Sequence, residues 1–120
     1  MMNEHITEAE TFLINYIINI AYWHDIDVVR LNYKKLQECT NVYCARLNQI
    51  LDEPVNDYDY MLSVVRNIQS SGVFIVTPVS NGFTFGLTKQ SEEIDLPNRP
   101  VREDVREKRR KYEVEHGHVS

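Results

Sequence analysis

The sequence predicts a small α+β domain, mainly helical, closed by a β-hairpin and followed by a charged tail. Three observations carry that expectation. Phe12, Leu13, Tyr16, Ile17, Ile20 and Trp23 recur at three- and four-residue spacing, the period of a helix with one buried face. Tyr58, Met61, Leu62, Val65 and Ile68 repeat that spacing and run up to Ser70-Ser71-Gly72, where Gly72 is placed as a C-cap. Between Val73 and Thr88, two β-rich runs flank Ser80-Asn81-Gly82, a strong hairpin signal.

Taken in chain order, Thr7-Glu8-Ala9-Glu10 reads as a capping box and starts the first helix at Thr7. Ile14, Ile18 and Ala21 widen its apolar arc, which predicts burial or sharing with a second copy of the chain, and Ile14, Ile18 and Trp23 go beyond what one face needs, which predicts self-association. His24-Asp25 ends it. Asp27 to Asn32 is β-branched enough for a brief strand. Tyr33 to Cys39 then reads as a short helix and Val42 to Asp52 as another, stopped by Pro54. Asn56 or Asp57 caps the helix that follows. In the hairpin, Asn81-Gly82 supplies two positive-φ residues, Phe83, Phe85 and Leu87 line one apolar face, and Pro78 marks an edge strand. Phe12, Ile17, Leu36, Val42, Leu47, Leu62, Val65, Ile75 and Phe85 are expected to share one core.

Composition sets the limits. The chain has 120 residues, 42% of them apolar, which suits one domain with a real core. Apolar residues thin out after Glu92, so residues 1–90 are expected to form the domain and 91–120 a charged, flexible tail. Residues 1–90 carry six Lys+Arg against ten Asp+Glu, and residues 91–120 seven against eight, within a formal net charge of -5. An acidic domain repels a phosphate backbone at long range. The start lacks a basic secretory signal and no apolar run approaches the roughly 20 residues of a membrane span, so a cytoplasmic location without membrane contact is expected. Cys39 and Cys44 then read as reduced, part-buried side chains.

The segment Tyr33 to Leu51 has the spacing of a helix-turn-helix. Leu36 anchors the first helix, Cys39 sits where two helices cross, Asn41 takes the left-handed turn, Val42 plugs it, and Leu47, Ile50 and Leu51 line the second helix. With the long first helix, the short strand and the passage from Ile68 through Gly72 to the hairpin, the chain resembles the winged helix-turn-helix superfamily over Thr7 to Lys89. The resemblance implies a helix laid in a DNA groove beside a two-stranded β-hairpin wing. Two assignments of that recognition helix are open, Val42 to Leu51 or Tyr58 to Ser71, and the turn spacing favours the first.

The first assignment turns Tyr43, Arg46, Asn48 and Gln49 outward, residue types that read base edges. Lys34 and Lys35 then contact phosphates, and the cluster Lys108, Arg109, Arg110 and Lys111 adds further phosphate contacts. The expectation is a dimeric DNA-binding regulator of transcription acting on double-stranded DNA. The alternative is an adaptor or inhibitor that binds protein with the same acidic fold, and the charge favours it. The wing carries no Lys or Arg. No catalytic constellation, metal site or cofactor is expected: His116-Gly117-His118 lies in a polar terminus, neither cysteine has an orienting partner, and no phosphate-binding glycine loop is present.

Overall fold

The computed structural model describes residues 2–93 and Arg110, with side chains from Thr7 onward. Helix α1 (Met2–His24) is followed by strand β1 (Val28–Asn32), helices α2 (Tyr33–Asn48) and α3 (Asp57–Ser71), strands β2 (Phe74–Val79) and β3 (Gly82–Leu87), and a short helix α4 (Lys89–Glu93). The strands form one antiparallel sheet in the order β1-β3-β2. The fold is therefore α+β and mainly helical, and its sheet has three strands where the sequence pointed to a two-stranded hairpin. Edge pairing explains the third: β1 lays Val28 to Asn32 against Gly86 to Gly82 of β3, whose other side already holds β2.

The core lies between the inner face of this sheet and helices α1 to α3. Val29 and Leu31, Phe74 and Val76, and Phe85 supply the sheet's side; Leu13, Ile17, Leu36, Leu47, Met61 and Ile68 supply the helices'. Helix α1 starts before Thr7, so the capping box does not form. Nothing in the preceding residues breaks a helix, and the Thr11 hydroxyl donates to the Thr7 carbonyl at 2.9 Å inside it. Its buried face is Ala9, Leu13, Ile14, Ile17, Ile18, Ala21 and Tyr22. Ile14, Ile18 and Ala21, expected at the margin of the apolar arc, are its centre, whereas Phe12 (45% exposed) and Trp23 (50%) lie on the flanks.

Helix α2 is the main correction. Tyr33 to Asn48 is one continuous helix, so the helix-turn-helix over Tyr33 to Leu51 does not exist, and Asn41 and Val42 stand on the helix's exposed side. Its buried residues, Leu36, Cys39, Thr40, Cys44 and Leu47, keep helical spacing straight through the expected turn. Thr40 fits in the core because its hydroxyl donates to the Leu36 carbonyl at 3.0 Å. Asn32 caps the helix, accepting from the Lys35 amide at 2.8 Å.

Helix α3 matches its reading more closely. Asn56 caps it through the Asp59 amide at 2.8 Å, and Gly72 ends it in the left-handed region at φ 78. Met61, Val65 and Ile68 are buried as expected, joined by Tyr60 and Val64, while Tyr58 is exposed and Leu62 half-buried. In the hairpin, Val79 pairs with Gly82, so the loop is Ser80-Asn81 and only Asn81 has positive φ, at 64. Gly82 is needed for a different reason: a Cβ there would collide with the Leu31 carbonyl oxygen and lie 2.8 Å from Asn32 Cα. Pro78 does lie on an edge strand, β2. Ile75 leaves the expected core because Phe74 and Val76 on either side of it point inward.

Candidate interaction surface

Helices α1 and α2 pack against each other, and the place where Glu8 and Phe12 meet Tyr43 and Arg46 is an open groove. Glu8 and Phe12 are four apart on α1, Tyr43 and Arg46 three apart on α2, so each pair stands on one helix face. The Phe12 ring lies 6.1 Å from Tyr43 and 6.4 Å from Tyr16, the latter nearly parallel. The Arg46 guanidinium sits 5.6 Å above the Tyr43 ring and 3.7 Å from the Glu8 carboxylate. With Thr7 and Thr11 these four residues line a groove of about 500 Å³. Its floor is aromatic and its rim carries one charge of each sign.

The structure separates the residues that the sequence assigned to DNA. Lys34 and Lys35 lie in the first turn of α2, twelve and eleven residues before Arg46, roughly 17 Å along a helix axis. Lys35 pairs with Glu38 at 3.1 Å, and that hydrogen bond raises its pKa. Asn48 is not free to read a base. Its side chain donates to the Val55 carbonyl at 2.8 Å and accepts from the Val55 amide at 2.9 Å, which closes the loop between α2 and α3. Gln49 is exposed, and its backbone amide ends α2 on the carbonyls of Arg46 and Leu47. Lys108, Arg109 and Lys111 lie outside the described residues, as do His116 and His118; Arg110 is helical and exposed.

Glu8 and Phe12 were missed as partners of Tyr43 and Arg46. The available signal was the mixed character of the first helix, an aromatic one turn after an acid, but only the packing of α1 on α2 shows what they face. Cys39 and Cys44 are both free thiols in the interior. Desolvation pushes the Cys44 thiol up to about 11, helped by a hydrogen bond with Asp57, and desolvation also raises Cys39. Neither is a thiolate near neutral pH. Among the described residues no group of three His, Cys, Asp or Glu side chains is placed to hold a metal ion, and no helix is long and apolar enough to cross a membrane.

The chain matches no protein-family model, no curated protein and no solved structure.

Proposed function

We propose that this chain is a protein-binding module built on a winged-helix plan, acting as an adaptor or inhibitor through the groove between α1 and α2. The element order α1-β1-α2-α3-β2-β3 with sheet order β1-β3-β2 supports that plan. On this reading α3, rather than Val42 to Leu51, is the counterpart of the recognition helix. One observation carries the preference for protein over DNA. Helix α3 opens on Asp57 and Asp59, its one cation is Arg66, and the hairpin from Phe74 to Leu87 carries no charge at all. A groove-binding helix and wing need cations for phosphates, and two carboxylates in the first turn oppose them.

The α1–α2 groove has what a protein partner uses. Tyr and Arg are enriched at the centres of interfaces, where a ring gives area and a guanidinium gives directed hydrogen bonds. Tyr43 is the anchor, Phe12 its neighbour, and Arg46, held over the ring, the polar contact. The partner presents an apolar side chain to the rings.

The second reading, a DNA-binding regulator, rests on the same element order. It assigns base contacts to Arg66 and Gln69, which α3 leaves exposed, and phosphate contacts to Lys108, Arg109, Arg110 and Lys111. Fluorescence anisotropy of the full chain on mixed duplex fragments, at about 50 and 200 mM salt, separates the two readings. The protein-binding reading expects no salt-sensitive association. Association that weakens steeply with salt and is lost in Arg66→Ala makes the chain a DNA-binding protein.

A further inference from the structure

The outward face of the sheet differs in chemistry from the rest of this acidic chain. Strand alternation places Val28, Gly86 and Ile75 in one row across β1, β3 and β2, with Arg30, Thr84 and Thr77 in the next. Ile75 is 64% exposed and Val28 54%, the two most exposed large apolar side chains among the described residues. They are neighbours. A Cβ placed on Gly86 would lie 3.6 Å from Ile75 Cβ and 3.9 Å from Val28 Cγ2, so the glycine leaves a notch walled by both.

We propose that this face is a homodimer interface, in which two copies pack sheet to sheet across a two-fold axis. The Val28 and Ile75 ridges of one copy sit over the Gly86 notch of the other. Charge selects the occupant. Residues 2–93 carry twelve Asp+Glu against six Lys+Arg, so most contacts between two copies bring carboxylates together. The outward positions of the three strands include no carboxylate, and their one charged side chain, Arg30, is folded onto the Ser80 carbonyl at 2.9 Å. A second copy therefore meets this face without bringing carboxylates together. Ridge and notch are present in each copy, so the contact is self-complementary and closes at two.

The other face suggested by the sequence is mostly closed. Of Ile14, Ile18 and Trp23, whose excess on α1 pointed to self-association, the two isoleucines are covered by the chain's own core and Trp23 alone stays exposed. The sheet face lies on the far side of the sheet from α1 to α3, so a dimer there leaves the α1–α2 groove open.

The interface is small. Six residues at about 3.3 Å along three strands spaced about 4.8 Å cover roughly 300 Å², against about 800 Å² per partner in a standard complex. The dimer is accordingly weak and reversible.

Sedimentation velocity of the full chain from about 5 to 500 µM tests this, and a concentration-dependent shift from monomer to dimer is expected. Added salt strengthens the dimer, because it screens the repulsion between two chains of net charge -5. The double variant Val28→Thr, Ile75→Thr keeps the β-branched outline while making the ridges polar. It weakens association by about tenfold or more, with unchanged circular dichroism. If that variant fails to fold, Gly86→Ala fills the notch at ordinary contact distance and weakens the dimer in the same way. Phe12→Ala and Tyr43→Ala leave it unaltered. A wild-type chain that stays monomeric throughout the range overturns the proposal, and so does a dimer indifferent to the ridge and notch variants.

Discussion

Helices α2 and α3 are built alike and behave differently. Each is introduced by an asparagine, Asn32 or Asn56, that accepts from the amide three residues on, and each buries five residues in the same core. Their outward chemistry is opposed. Helix α2 carries Lys34, Lys35 and Arg46, whereas α3 opens on Asp57 and Asp59. In the proposed winged-helix plan the DNA-reading position falls to the acidic helix, and the more basic helix holds its arginine against Glu8 and Tyr43. Where an element sits in a fold and what its surface can bind are separate facts, and here they point apart.

The largest expected effects test the shared part of this comparison. Leu47 of α2 and Ile68 of α3 are both fully buried. Leu47→Ala and Ile68→Ala should each cost about 2–5 kcal/mol in chemical denaturation, the range for large-to-small core changes. Val42→Ala is the control. At 51% exposure it should cost under about 0.5 kcal/mol. A loss of several kcal/mol at Val42 contradicts the continuous α2 and restores the turn.

The unequal legibility of the two helices has a physical cause. Helix α3 is marked by strong apolar residues and ends on a glycine that must be left-handed, so periodicity and punctuation agree. The α2 stripe contains Cys39, Thr40 and Cys44, which count weakly as apolar, and the exposed Val42 draws attention away from it. Thr40 is invisible as core until its hydroxyl is seen to bond the preceding turn. The chain does contain the counter-signal: no glycine or proline falls between Tyr33 and Glu53. The hairpin was legible for its Asn81 turn, but not for the collision that requires Gly82, because that depends on β1, distant in sequence. Arg46 was legible as an outward residue, whereas Tyr43, expected to point away from the core, is half-buried against it; Phe12 and Glu8, contributed by α1, depend on packing between helices.

The next effect concerns the junction between the helices. Asn48 satisfies both backbone groups of Val55, so Asn48→Ala leaves a part-buried amide and carbonyl without these bonds. The expected cost is about 1–3 kcal/mol. Asn48→Asp keeps an acceptor for the Val55 amide and loses the donor for its carbonyl, and should fall between wild type and Ala. If Asn48 were instead an outward base reader, Asn48→Ala would leave the melting temperature unchanged.

A smaller effect distinguishes the two accounts of α2 by its sign. Asn41 lies within the helix and is exposed. Asn41→Ala should therefore stabilise the chain by up to about 0.7 kcal/mol, the propensity difference in a helix interior. In a left-handed turn the same substitution would destabilise by about 1 kcal/mol, because alanine tolerates that conformation less well than asparagine. Urea denaturation of the two proteins gives the sign directly.

The smallest effect lies where α1 meets α3. Glu8 reaches toward Arg46 on α2, while Glu10, two residues on, reaches Asn67 on α3. Burial raises the Glu10 pKa, and the hydrogen bond with Asn67 offsets part of that rise. A carboxyl whose pKa is higher folded than unfolded binds protons more readily in the native state, so its contribution to stability is present at low pH and is lost as pH rises through the carboxylate range. Glu10→Gln removes the charge and keeps an acceptor for Asn67. It should therefore raise the melting temperature slightly near pH 7, and the advantage should vanish near pH 3, where the wild-type carboxyl is protonated in both states. The contrast with Glu8 sharpens the result. Glu8 is exposed and paired with a cation, so Glu8→Gln should give no gain near pH 7. Equal gains from Glu8→Gln and Glu10→Gln near pH 7 would mean that α1 is packed no more closely on α3 than on the groove side of α2.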